Sequence, residues 1–129
     1  MTPEELRQRT KRFAIYIIRF CASLPRTDEA RVIGRQLLRS GTSVGANYRA
    51  VCRPRSAPDF IAKLGIVIEE VDETLYWLEI LVEAKIVASD MGIDLRREAE
   101  ALTRIFVTSR TTARRNAHES RSRARITNR

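Results

Sequence analysis

Residues 56–83 read SAPDFIAKLGIVIEEVDETLYWLEILVE, and the spacing of their apolar residues decides the fold class. Phe60, Leu64, Val67, Val71, Leu75, Leu78 and Val82 recur at steps of 4, 3, 4, 4, 3 and 4. That is the period of an amphipathic α-helix with one face turned to a core. Ser56 supplies an N-cap hydroxyl, with Pro58 and Asp59 in the first turn.

Reading outward from this helix, the same pattern returns on both sides. Thr27 caps an earlier helix that opens with Asp28 and Glu29 and carries Ala30, Ile33, Leu37, Val44 and Val51 up to Pro54. Before it, Thr2 and Pro3 start a helix with Glu4 and Glu5 in its first turn. Leu6, Phe13, Ile17, Phe20 and Leu24 share one face of it, and Pro25 ends the segment. On the C-terminal side, Gly92 breaks the chain and Asp94 is expected to cap a fourth helix bearing Leu95, Ala99, Leu102 and Phe106. Strand-like alternation and hairpin dipeptides do not appear. The expected fold is all-α, an antiparallel up-and-down four-helix bundle with short connections. Its predicted core includes Phe13, Ile17, Leu37, Val44, Phe60, Leu64, Val71, Leu78 and Leu102.

Composition narrows the function. The chain has 129 residues, 24 Lys and Arg, 16 Asp and Glu and one His, for a net charge of +8. This length supports one domain with a real core. Two cysteines, Cys21 and Cys52, make no disulfide scaffold and no C-x-x-C zinc spacing. The single His118 lies in a polar segment, so histidine-based catalysis or metal binding is not expected, and neither is a cofactor. The reading is of a protein that is not an enzyme. Apolar runs fall well short of the roughly 20 residues that cross a bilayer. Basic residues before Phe13–Ile18 mimic a signal peptide, but Glu4, Glu5 and Arg19 interrupt the pattern and no cleavage site follows. The expected location is the cytoplasm.

Charge is unevenly placed. From residue 110 to 129 seven arginines face one acid, Glu119, so this segment carries +6 of the total +8. Nearly free of apolar residues, it is expected to be a disordered basic tail (110–129) on a bundle domain (1–109). Such a tail contacts RNA, DNA or an acidic partner, or else only keeps the protein soluble; both readings stand.

Three features exceed a plain bundle. Arg31, Arg35, Arg39, Arg49 and Arg53 lie within about 80° on one side of the second helix. This ridge, with Arg114 and Arg115 in the tail, is the candidate nucleic-acid contact, because guanidinium groups offer paired donors to phosphate. The competing reading pairs the ridge with acids of the third helix, Glu69, Glu70, Asp72, Glu73, Glu79 and Glu83. The third helix also bears a second stripe with Ile66, Trp77 and Ile80, and the first helix bears Ile15, Ile18 and Ala22, which point to a subunit contact. Finally, Gly41-Thr-Ser-Val-Gly45 formally matches a G-x-S-x-G nucleophile elbow, but a helix precedes it where a strand is required. Gly34, Gly41 and Gly45 instead share a helix face fit for close packing, beside a polar stripe of Gln36, Ser40, Ser43 and Asn47. Buried polar groups there must be hydrogen-bonded and would either fix helix register or lie at a subunit boundary; the stripe is assigned to the expected oligomer interface.

The run RSGTSVGANYRA (39–50), followed by SAPDFIAKLGIVIEEVDETLYWLEIL (56–81), resembles the bacterial four-helix bundle proteins of 23S ribosomal RNA intervening sequences. The accessory variability protein of diversity-generating retroelements is similar to them. The resemblance spans roughly residues 10 to 108 and implies a homopentameric barrel with a basic, nucleic-acid-binding surface. It maps onto Ser40, Ser43, Asn47, Tyr48, Asp59, Phe60, Glu73 and Trp77. Where many relatives have a glutamate after the N-Y-R triplet, this chain has Ala50, so that carboxylate and its pairing are missing.

Two functional classes follow. One is an oligomeric accessory protein that binds structured RNA or DNA and assists a polymerase or ribonucleoprotein. The other is an oligomeric protein-interaction scaffold without nucleic acid.

Overall fold

The computed structural model describes residues 1–127; Arg129, counted above in the basic segment, lies outside the described residues. Four helices follow one another: α1 (Pro3–Ala22), α2 (Asp28–Val51), α3 (Ala57–Glu83) and α4 (Ile93–Thr127). Among the described residues no strand forms. Consecutive helices pack side by side, α4 closes back on α1 only loosely, and the result is the expected antiparallel bundle.

The helix starts follow their capping residues. Thr2 accepts the Glu5 amide while the Glu5 carboxylate accepts the Thr2 amide, a complete capping box. Thr27 and Ser56 accept the amides of Ala30 and Asp59. At α4 the expectation is corrected. Asp94 sits inside the first turn, because Gly92, with φ of 77°, already turns the chain and accepts the Arg96 amide at 2.9 Å.

The core contains Phe13, Ile17, Leu37, Val44, Leu64, Val71, Leu78 and Leu102 as predicted, with Phe106 and Ala99 fully enclosed. Phe60 is only half-buried and packs on the rim of the core. On α3 the buried stripe takes Thr74 and Leu81, while Leu75 and Val82 are half-buried. The reason is that α3 is flanked by α2 and α4, so its covered sector is broader than one line of residues. Tyr48 of α2 and Phe106 of α4 meet across the bundle with ring centroids 5.5 Å apart.

The glycine face of α2 receives α1. A Cβ at Gly41 would stand 2.7 Å from Ile17 Cγ2 and 2.8 Å from its Cγ1. At Gly45 it would stand 3.3 Å from the Thr10 carbonyl carbon, and at Gly34 3.1 Å from Leu24. Bare backbone thus lets the two helices approach closely. The polar stripe beside it partly turns inward: Ser40 and Thr74 are both fully buried, and Thr74 Oγ1 donates to Ser40 Oγ at 3.0 Å. Each hydroxyl has one proton to give: Ser40 donates to the Leu37 carbonyl at 3.3 Å, and the Glu70 carbonyl, 2.8 Å from Thr74 Oγ1, is the alternative acceptor for the Thr74 proton, so the pair fixes the α2–α3 register with neither hydroxyl orphaned.

The expected disordered tail is a helix up to Thr127. A helix already nucleated and packed extends one residue at a time, without the entropic cost of a new nucleus. Neither Gly nor Pro follows Gly92, and the segment is rich in alanine and arginine. Ala113 and Ala117 are half-buried beside the α2–α3 connection, and Arg125 in the last turn opposes the negative end of the helix dipole.

Three substitutions check this packing. Leu78→Ala should lower unfolding free energy by roughly 2–5 kcal/mol in chemical denaturation. Gly41→Ala should lower it by about 1–3 kcal/mol despite better helix propensity, because the new methyl overlaps Ile17. Gly65→Ala on α3, where a Cβ would meet no atom within 4 Å, should instead raise it by up to about 1 kcal/mol.

Candidate functional site

The five arginines of α2 do not form one free ridge. Arg39 reaches across to α3, bonding Glu70 at 3.3 Å and also Glu73. That bond holds the Glu73 carboxyl below the usual carboxylate range. Arg31 pairs with Asp28 on its own helix at 2.9 Å. Arg35, Arg49 and Arg53 are exposed and enter no ion pair among the described residues. The competing reading, pairing with acids of α3, therefore holds for Arg39 and not for the other four.

Arg49 and Arg53 are instead brought beside α1. Between the two helices runs a groove of about 420 Å³ flanked by Arg7 and Lys11 of α1 and by Arg49 and Arg53 of α2. Its floor is made of small side chains, Ala14, Gly45, Ala46 and Ala50, with Thr42. The close approach at Gly45 keeps the groove narrow, so cations of both walls face one line. Arg7 is held by Glu4 through its Nε at 3.1 Å, whereas Lys11 is exposed and unpaired among the described residues. The sequence alone does not single out Arg7 and Lys11, because there they count only as the flank of an apolar run. Their four-residue spacing, taken with the glycine face of α2, is the signal that places them on this wall.

Arg114 and Arg115 are exposed on α4, which lies diagonally across the bundle from α2. They share the bundle end at which residues 54–58 meet Ala113 and Ala117, but they do not join the groove.

The residues assigned to a subunit contact divide likewise. Ser40 is corrected: fully buried against Thr74, it serves packing within the chain and is out of reach of a second copy. Ser43 donates to the Arg39 carbonyl at 2.6 Å, and Asn47 donates to the Ser43 carbonyl at 2.9 Å, both local to α2. Gln36 is exposed. Ile66 is 47% exposed, while Trp77 and Ile80 are half-buried on the same side of α3. The Trp77 indole donates to Glu73 at 3.2 Å and stacks edge-on to Tyr76. Val32 of α2, 60% exposed, adds to the apolar surface of the molecule.

Neither cysteine belongs to the groove floor. Cys21 donates weakly to the Gly34 carbonyl, and burial pushes its thiol up to about 11. No helix is long and apolar enough to cross a membrane among the described residues.

Comparison with known proteins adds the lineage. A solved structure from Bacteroides thetaiotaomicron, described as a protein with unknown function from the S23 ribosomal protein family, is similar to this chain. It superposes with a TM-score of 0.77 at 29% identity, covering 86% of this chain and 99% of its own. No curated protein matches. The family model for 23S rRNA-intervening sequence proteins matches residues 4–108, from the first turn of α1 to the last enclosed turn of α4. The chain belongs to the 23S rRNA-intervening sequence protein family.

Proposed function

We propose that this protein is a non-enzymatic nucleic-acid binder whose α1–α2 groove takes the phosphate backbone. The observation that carries the reading is the convergence of Lys11, Arg49 and Arg53, with Arg7, on a narrow floor free of large side chains. Among the described residues, Glu4 is the one acid bonded to any of the four. Such an array attracts a polyanion by charge and by release of its counterions, and reads no base sequence. The exposed arginines of α4 add positive charge at the same end of the molecule. A homo-oligomer, pentameric by family resemblance, would repeat the groove and raise avidity.

The second reading, an oligomeric scaffold for protein partners such as a polymerase, draws on exposed Ile66 beside half-buried Trp77 and Ile80. An apolar strip of that kind suits a subunit or partner contact.

The test is a salt series on one structured RNA. Arg49→Glu with Arg53→Glu should weaken binding and flatten the slope of log affinity against log salt by about 0.7–0.9 for every phosphate no longer neutralised. A truncation before Arg110 should weaken it less. If the truncation abolishes binding while the double variant matches the intact protein, the α4 arginines are the binder. If the intact protein does not bind at all, the scaffold reading replaces this one.

A further inference from the structure

On the other side of α1 the bundle is open. Because α4 closes only loosely on α1, a cleft of about 920 Å³ lies between them, within the range of small-molecule sites. Its contents are chemically sorted. Phe13 forms a buried floor, with Phe20 half-buried further along and Tyr16 52% exposed at the wall. Arg12 of α1 and Arg97 of α4 line the cleft from its two helices, both exposed and in no ion pair among the described residues. Arg9 and Glu98 close one end with a paired bond, 2.8 Å and 2.5 Å. Asp90 and Asp94 stand at the opposite end.

We infer that this cleft binds a nucleobase carrying a phosphate, with the base on Tyr16, the phosphate between Arg12 and Arg97, and an exocyclic amine toward Asp90 and Asp94. Each part answers one group of the ligand. An aromatic face stacks any base. Guanidinium groups supplied by both helices offer charge-assisted donors to an anion in the cleft. Carboxylates accept from the amines of cytosine or adenine and find no such donor on uracil. An aliphatic acid would use the floor and the arginines but leave the two aspartates without a donor. The Arg9–Glu98 pair neutralises itself, so the arginines left to the ligand are Arg12 and Arg97. The cleft and the groove lie on opposite flanks of α1, and the inference depends on the nucleic-acid reading only for one source of the base, an unpaired nucleotide in a strand. The other source is a free nucleotide.

Calorimetric titration of the full chain with CMP, UMP and a short oligocytidylate tests the site. CMP should bind about fivefold or more tightly than UMP, the span expected of one good base contact. Tyr16→Ala and Arg12→Glu should each remove that binding, and both residues are exposed enough that the fold is not at stake. Arg49→Glu with Arg53→Glu should leave CMP binding unchanged, so a failed groove and a failed cleft give different results. Binding of CMP that depends on Tyr16 supports a free-nucleotide source. Dependence on Tyr16 seen only with the oligocytidylate supports a strand source. The inference is overturned if no ligand binds, if Tyr16→Ala and Arg12→Glu bind as the intact protein does, or if UMP binds as tightly as CMP.

Discussion

The structure depends on the seat of Ile17 on the bare backbone of Gly41. With less than 3 Å between Ile17 side-chain carbons and the place a Cβ would occupy, α1 and α2 meet at a distance that side chains on both helices would forbid. Everything on α1 is positioned by this seat. Its closeness to α2 narrows the groove so that Arg7 and Lys11 face Arg49 and Arg53. The corresponding looseness toward α4 leaves the cleft in which Tyr16 and Arg12 are exposed. One helix drawn to one neighbour thus produces two dissimilar surfaces, one smaller and cationic, the other larger and partly aromatic.

The second fixed point is the polar crossing between α2 and α3. Ser40 and Thr74 bond inside the core, while Arg39 spans the same two helices at the surface to Glu70 and Glu73. A buried neutral pair specifies which turn of α2 opposes which turn of α3, since any slip would leave both hydroxyls without each other. The surface ions add little energy, being partly exposed. They do withdraw Arg39 from the row of arginines, as Asp28 withdraws Arg31, so the charge left free for a partner is Arg35 and, at the C-terminal end of α2, Arg49 and Arg53.

Most of the fold is legible in the sequence because it rests on spacing and capping, which are local. The period of Phe60–Val82, the caps at Thr27 and Ser56 and the glycine face of α2 all name structures within one or two turns. The candidate site is less legible. An arginine row on α2 is visible in sequence, but whether each member is free depends on acids of α3 that only packing brings near, as with Arg39. Lys11 joins Arg49 only once α1 is docked. The helical order of the basic segment escapes a compositional reading for a related reason: composition weighs burial, and not continuation from a helix already anchored at Phe106.

That continuation makes the molecule a body with two kinds of stability. Over its 35 residues α4 runs for about 52 Å, against about 40 Å for the 27 of α3. Its first half melts with the bundle, all or none. Its last turns, exposed from Arg123 to Thr127, rest on propensity and charge alone and so lose order a residue at a time. A heating curve of this protein should consequently show a sloping foot before its cooperative step, the foot belonging to one helix end and the step to the whole bundle.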